Sequence, residues 1–120
     1  NVSFGLDLSE GRQQTRTCLE ACSLGYLGDH LEQMVGPGGR ILSAGEAQRL
    51  AIARALFFRP RFVVLDEATG SMDESTENAV MTAFREALPD IGGVIISHRE
   101  STYKFAETQL RLTAEGLVEA

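Results

Sequence analysis

Two short apolar runs with one helical segment between them constrain the fold of this chain more than any other feature. Phe62–Leu65 and Gly93–Ser97 carry little or no alternation of polar residues, which is typical of parallel strands covered on both faces. The segment between them, Glu74–Ala87, is predicted to be a helix that Asp73 caps. The order helix, strand, helix, strand predicts an α/β layer architecture with right-handed crossovers.

The region before the first apolar run is predicted to be extended, then helical, then a loop. Asn1–Gly5 is predicted to be extended, and Ser9–Ser23 to be a helix that ends near Gly25. A shorter helix is predicted over Tyr26–Val35, and the loop Gly36–Gly39 follows it. The expected inner residues of the first helix are Leu19, Cys22 and Ser23.

Ser43 and Glu46 form an S-x-x-E capping box, which predicts that a helix begins there. Apolar residues then recur with a spacing near 3.6 as far as Phe58, and Pro60 ends the helix. The expected buried face of this helix consists of Leu50, Ala51, Ala53, Leu56 and Phe57, and that of the helix after Asp73 consists of Val80, Met81, Phe84 and Leu88. A short helix over Ser101–Ala106 and two strands, Gln109–Leu112 and Leu117–Val118, are predicted at the end.

Charge, apolar length and cysteine spacing argue against several classes of function. The chain of 120 residues has 17 acidic and 11 basic residues, and the basic residues are scattered, so we expect no nucleic-acid-binding surface. The apolar stretches are far shorter than the roughly 18 residues that a membrane span needs. No signal-peptide pattern follows Asn1. Cys18 and Cys22 lack zinc-like spacing to other ligands, so we expect both to be free thiols that pack partly inside the fold.

The N-terminus of the helix at Ser43 is a candidate phosphate-binding site. Small residues there leave backbone N–H groups unshielded, and the helix dipole adds partial positive charge. A plain helix cap is the simpler interpretation of an isolated S-x-x-E pattern.

Polar groups that can do chemistry follow each apolar run. Asp66 and Glu67 come directly after the first run, and His98 follows the second. In open α/β folds, nucleotide sites lie at this edge of the sheet. A lone His after a strand is usually only a polar strand end. His98 is nevertheless a candidate site residue, because it follows the next strand and is expected at the same edge of the sheet as the two carboxylates.

These motifs together resemble those of the ATP-binding cassette (ABC) transporter family. Leu42–Arg49 resembles the signature L-S-G-G-Q-x-Q-R, Phe62–Glu67 resembles the Walker B strand, Ala68–Asp73 resembles the D-loop region, and Ile95–Arg99 resembles the H-loop. Their order and spacing agree with the family over most of the chain. Two residues depart from the signature, because Ala44 replaces a Gly and Glu46 replaces a Gln. The added methyl group and the added negative charge are expected to weaken contact with nucleotide.

The resemblance implies a role for each candidate residue. Asp66 would belong to the Mg²⁺ shell, and Glu67 would act on the attacking water. His98 would donate a hydrogen bond to the γ-phosphate of ATP. The signature residues Ser43, Ala44, Gly45 and Glu46 would contact ATP held by a second nucleotide-binding domain in a head-to-tail dimer, and Asp73 would lie at that dimer interface.

The resemblance also implies a domain organisation. Residues 1–42 would form part of the ABC helical subdomain, and residues 43–120 the C-terminal part of a P-loop NTPase (RecA-like) core. No G-x-x-x-x-G-K-S/T loop occurs in the sequence, and the only lysine is Lys104. We therefore expect a missing N-terminal half to hold the phosphates, and the isolated chain to be marginally stable and to lack ATPase activity.

Inside a complete protein, the implied partners are transmembrane domains, which would hold this chain at the cytoplasmic face of a membrane. Val35–Gly39 resembles the V-G-x-x-G segment of exporter-type cassettes, which favours an exporter. Two alternatives stay open: a truncated cassette that only binds a partner, and a soluble ABC ATPase of DNA repair or translation. Intact Asp66, Glu67 and His98 argue against the first, and the Gly36–Gly39 loop argues against the second.

Overall fold

The computed structural model describes residue 2 and residues 8–120. The segment predicted to be extended, Asn1–Gly5, lies outside the described residues except for Val2. The described helices are α1 Leu8–Ala21, a 3-10 helix Gly25–His30, α2 Ala44–Phe58, α3 Glu74–Ala87 and α4 Glu100–Tyr103. The strands are β1 Phe62–Asp66, β2 Gly92–Ile96, β3 Leu110–Thr113 and β4 Gly116–Glu119.

Strands β1 and β2 pair in parallel, with Val64 opposite Val94 and Asp66 opposite Ile96. Helix α3 forms the crossover between them, which confirms the predicted α/β class with parallel strands. Strands β3 and β4 form a separate antiparallel hairpin.

One face of the β1–β2 sheet is exposed, so the prediction that β1 is covered on both faces is wrong. Leu65 is buried and Val63 packs against the core, whereas Phe62 is 61% exposed and Val64 is 59% exposed. Val94 and Ile96 of β2 are exposed as well. Successive side chains point to opposite faces of a strand, and among the described residues only the Val63–Leu65 face is packed against the core.

The helix predicted over Tyr26–Val35 is also wrong in type and length. The structure has a 3-10 helix that ends at His30 and is followed by turns. Short 3-10 segments of this kind are common connectors, and glycines 25 and 28 disfavour an α-helix there.

Two predicted inner residues face solvent. Helix α1 ends at Ala21, and Ser23 is exposed with a left-handed φ of 55°. The N–H of Leu24 then donates to the carbonyl of Leu19 at 2.8 Å, so the helix closes before Gly25. In α2, Ala51 is exposed and the neighbouring Ile52 is buried, because periodicity alone does not fix the rotation of a helix.

The main core is shared by helices α1, α2 and α3, with the loop residues between them. Its largest fully buried apolar side chains are those of Leu24, Ile52, Met81, Val80 and Phe84. This core draws on residues before and after position 42, and the division into 1–42 and 43–120 stays a prediction. Within the described ranges, no helix combines the length and the apolar character that crossing a membrane requires.

Candidate functional site

The parallel pairing brings the predicted polar residues to one end of the sheet, here called the carboxyl edge and formed by Asp66, Glu67 and His98. The N–H of Glu67 donates to the carbonyl of Ile96 at 2.9 Å, which continues the ladder one residue beyond β1. His98 Nε2 lies 3.4 Å from Glu67 Oε1, and the imidazole is 95% exposed. The structure therefore places these side chains as the sequence predicted.

Glu67 has a constrained backbone and a carboxylate oxygen, Oε1, that lies beside His98 Nε2 but accepts no described hydrogen bond. Its φ is 47°, a left-handed value that non-glycine residues rarely adopt. Its carbonyl accepts hydrogen bonds from Gly70 N and from Gln48 Nε2, both at 3.1 Å. Its Oε1 atom is shielded from solvent and accepts no hydrogen bond from the described residues. This oxygen is orphaned in the sense that no hydrogen bond occupies it, so its lone pairs can accept a proton from a water that is bound against it.

The capping box at the start of α2 forms as predicted. Glu46 N donates to Ser43 Oγ at 3.2 Å, and Ser43 N donates to Glu46 Oε2 at 2.8 Å. The N–H groups of Ala44 and Gly45 belong to the first turn, where no carbonyl of the helix can reach them. Ser43 and Ala44 are exposed, so an anion can approach this end of α2.

The carboxylate of Glu46 is held by two side chains that sequence reasoning missed. Its Oε1 accepts a hydrogen bond from Tyr26 Oη and lies 3.2 Å from Arg40 Nη2. The Tyr26 hydrogen bond and that from the backbone of Ser43 lower the pKa of Glu46 to about 2. The negative charge of Glu46 is therefore paired with Arg40, which reduces its repulsion of a phosphate. Tyr26 and Arg40 come from the 3-10 helix and from the end of the glycine-rich loop, so no local pattern marks them.

Gln48 connects α2 to the segment after Glu67. Its Nε2 donates to the carbonyl of Glu67, and its Oε1 accepts from Ser71 N at 2.9 Å. Gly45 packs against the same segment, because a Cβ atom there would lie 2.9 Å from the carbonyl oxygen of Ser71. No described hydrogen bond or ion pair joins Ser43 or Glu46 directly to the carboxyl edge. Gln48 connects α2 to Glu67, and Gly45 packs against the nearby Ser71.

Comparison with known proteins decides the family. The family model for the ABC transporter matches residues 9–70, just over half of the chain. The chain belongs to the ABC transporter family. It resembles the ATP-dependent lipid A-core flippase of Xanthomonas oryzae pv. oryzae, with 36% identity over 99% of this chain and 21% of that protein. It is also similar to the mitochondrial ATP-dependent permease MDL2 of Saccharomyces cerevisiae, with 32% identity over 98% of this chain and 16% of that protein.

A solved structure agrees with this ABC transporter assignment. The structure of a bacterial Atm1-family ABC exporter with ATP bound matches 91% of this chain and 20% of that chain, with a TM-score of 0.71 and 29% identity. The chain thus spans about a fifth or less of these relatives and corresponds to part of an exporter-type nucleotide-binding domain. The predicted family and the partial P-loop NTPase fold are confirmed.

Membership of the ABC transporter family implies nucleotide binding in general, and the residues fit part of such a site. The exposed Asp66 carboxylate and the orphaned Glu67 Oε1 can interact with a hydrated cation that is bound to nucleotide phosphates. Within the described part of the chain, no group of three or more His, Cys, Asp or Glu residues can hold a metal ion. Mg²⁺ commonly binds through one or two carboxylates together with substrate phosphates, which suits Asp66.

Asp73 forms the predicted cap of α3. Its Oδ1 accepts from Thr76 N at 2.9 Å and its Oδ2 accepts from Thr76 Oγ1 at 2.6 Å. The side-chain and backbone hydrogen bonds from Thr76 lower the pKa of Asp73. The carboxylate is exposed, so it is accessible to a partner surface while it caps the helix.

Proposed function

We propose that this chain supplies part of the ATP-hydrolysing site of an ABC exporter. The observation that carries the proposal is the pair at the carboxyl edge, where the orphaned Oε1 of Glu67 lies 3.4 Å from His98 Nε2 beside the exposed Asp66. A base and a hydrogen-bond donor at adjacent strand ends are the groups that phosphoryl transfer to water requires. The similarity to a permease and a flippase that are named as ATP-dependent, and to an ABC exporter solved with ATP bound, supports this assignment.

Each residue of the carboxyl edge has a distinct role in this proposal. Asp66 would bind Mg²⁺, and the bound ion would neutralise phosphate charge. Glu67 Oε1 accepts a proton from, or orients, the attacking water. His98 Nε2 donates a hydrogen bond to a γ-phosphate oxygen, and its exposure leaves it open to that oxygen. The hydrogen bonds from Gly70 and Gln48 to the Glu67 carbonyl hold the base in place.

The N-terminus of α2 serves ATP from the other side of a dimer. Ser43, Ala44, Gly45 and Glu46 would contact ATP held by a second nucleotide-binding domain in a head-to-tail arrangement, and Asp73 would lie near that interface. The exposure of Ser43 and Ala44 supports this role. The phosphates themselves would be held by a P-loop outside this sequence. Transmembrane domains would hold the assembly at the cytoplasmic face of a membrane.

The test is the Glu67→Gln substitution in the complete polypeptide that carries this chain. Removal of the base should lower kcat for ATP hydrolysis about 100- to 10,000-fold while ATP still binds. Glu86→Gln, at an exposed position of α3, is the matched control and should leave kcat unchanged. An unaltered ATPase rate in the Glu67 variant would remove this residue from its role. A complete polypeptide that binds its partners without any turnover would instead favour the non-enzymatic alternative.

A further inference from the structure

Arg99, the residue after His98, reaches across to the segment that follows Glu67. Its Nη1 atom donates to the carbonyl oxygens of Thr69, at 3.1 Å, and of Met72. The side chain is 26% exposed, so these bonds are largely shielded from solvent. One guanidinium group therefore links the loop that carries His98 to the loop that carries Glu67.

A buried carboxylate anchors this guanidinium group. Glu77 of α3 is fully buried, and its Oε2 lies 3.5 Å from Arg99 Nη2. Three hydroxyl groups donate to the same carboxylate, those of Thr69, Ser101 and Thr102. Burial acts to raise the pKa of Glu77, but these hydrogen bonds and the charge of Arg99 outweigh it, and the pKa is lowered. Glu77 is thus a satisfied buried anion, and it holds Arg99 in one orientation.

The backbone around His98 is tied to the same network. Arg99 N donates to Ser97 Oγ at 3.1 Å, and Ser97 Oγ lies 3.2 Å from Thr102 Oγ1, which itself bonds Glu77. His98 is by contrast almost fully exposed, with Glu67 as its described ion-pair partner. The backbone that carries the imidazole is therefore held through its two neighbours in the chain, Ser97 and Arg99.

We propose that Arg99 is a positioning residue for hydrolysis, which fixes the Glu67 loop and the His98 loop relative to each other through Glu77. This inference rests on the proposed function. The planar fork of arginine bonds two carbonyls and a carboxylate at once, and the single ammonium of lysine cannot copy that geometry. A small displacement of reacting groups can cost about 100-fold in rate, so loss of the fork should act on catalysis.

The test compares Arg99→Lys with Arg85→Lys in the complete polypeptide. Arg85 also donates to a backbone carbonyl, that of Phe105, at 2.8 Å, but its described contacts do not reach the segment after Glu67. We expect Arg99→Lys to lower kcat at least about 10-fold, with the KM for ATP and the melting temperature close to those of the unaltered protein. Arg85→Lys should change none of the three.

A double-variant cycle separates positioning from stability. Glu77→Gln should lower kcat in the same way, and Arg99→Lys in that background should add little further loss, because both changes release one network. An unchanged kcat in Arg99→Lys would overturn the inference. A fall in kcat that is accompanied by a clearly lower melting temperature would overturn it as well. An unaltered polypeptide without ATPase activity would instead overturn the proposed function, and this inference with it.

Discussion

Glu46 shows how one residue can depart from a family motif and still be accommodated. The sequence predicts that its charge weakens nucleotide contact, yet the structure pairs the carboxylate with Arg40 and gives it the hydroxyl of Tyr26. The Arg40 guanidinium also lies 5.3 Å from the centroid of the Tyr26 ring. The N-terminus of α2 thus carries a charge that is held in place and balanced.

The Tyr26→Phe substitution tests this arrangement through pH. The pKa of Glu46 is about 2 in the folded chain and 4.5 without the fold. A depressed folded pKa contributes stability that is present above pH 4.5 and is lost as the pH falls towards 2. Loss of the Tyr26 hydroxyl should raise the folded pKa, so the variant should be less stable at pH 6, and the difference should shrink by pH 3.

Urea unfolding of the nucleotide-binding domain at both pH values measures the Tyr26 effect. The Tyr26–Glu46 hydrogen bond, at this half-exposed site, should contribute about 1 kcal/mol to the free energy of unfolding. Tyr103→Phe, another exposed tyrosine for which no side-chain hydrogen bond is described, is the control. A stability difference that stays constant from pH 6 to pH 3 would contradict the role of the Tyr26–Glu46 hydrogen bond.

Helix α2 and the segment after Glu67 fit closely, and Gly45 leaves no room for a side chain between them. A Cβ atom at Gly45 would lie 2.9 Å from the Ser71 carbonyl oxygen, so Gly45→Ala should shift the segment or the helix. We expect a loss of about 1–3 kcal/mol in the free energy of unfolding, as for other overpacked sites. Thermal or urea unfolding of the nucleotide-binding domain measures it.

Gly11→Ala is the matched control for the Gly45 prediction. A Cβ atom at Gly11, inside α1, would make only an ordinary contact of 3.8 Å with Phe57. Alanine favours a helix interior over glycine by about 1 kcal/mol, so this variant should be as stable as the unaltered chain or more stable. Equal effects of the two substitutions would show that the contact between Gly45 and Ser71 is unimportant.

Helix ends that are capped by residues nearby in the sequence were predictable from the sequence. Ser43 and Glu46 cap α2, Asp73 caps α3, and α2 ends at Phe58, close to the Pro60 that was expected to end it. Features that depend on distant residues were not predictable. Gln48 and Arg99 bond backbone carbonyls on loops far along the chain, and no local spacing indicates such contacts. The 3-10 helix at Gly25–His30 likewise packs on α1, a contact that its own sequence pattern does not indicate.

The exposed face of the β1–β2 sheet also depends on residues far from the strands in sequence. An apolar run shows that a strand needs cover, but it cannot show which element supplies it. The face formed by Phe62, Val64, Val94 and Ile96 is exposed among the described residues, and the two-stranded sheet leaves hydrogen-bonding edges unpaired. Apolar faces and open edges of this kind promote association.

The exposed face of the β1–β2 sheet should make the isolated chain associate with itself. The isolated chain of 120 residues should sediment as oligomers whose mass rises with concentration, because copies can cover Val64 and its neighbours. Val64→Lys places a charge at the centre of the face. Burial of a valine side chain is worth roughly 1.5–3 kcal/mol, so this variant should raise the dissociation constant at least about 10-fold.

Leu112→Lys distinguishes association through the β1–β2 sheet face from non-specific association through other exposed apolar residues. Leu112 is more exposed than Val64, but it lies in the β3–β4 hairpin, so its substitution should leave the association unchanged. Analytical ultracentrifugation over a range of concentrations measures all three chains. A sharp monomer boundary for the unaltered chain, or an equal effect of the two lysines, would mean that the sheet face does not drive association. If the face does drive it, a partner strand or sheet that covers Val64 should compete with self-association and release monomers.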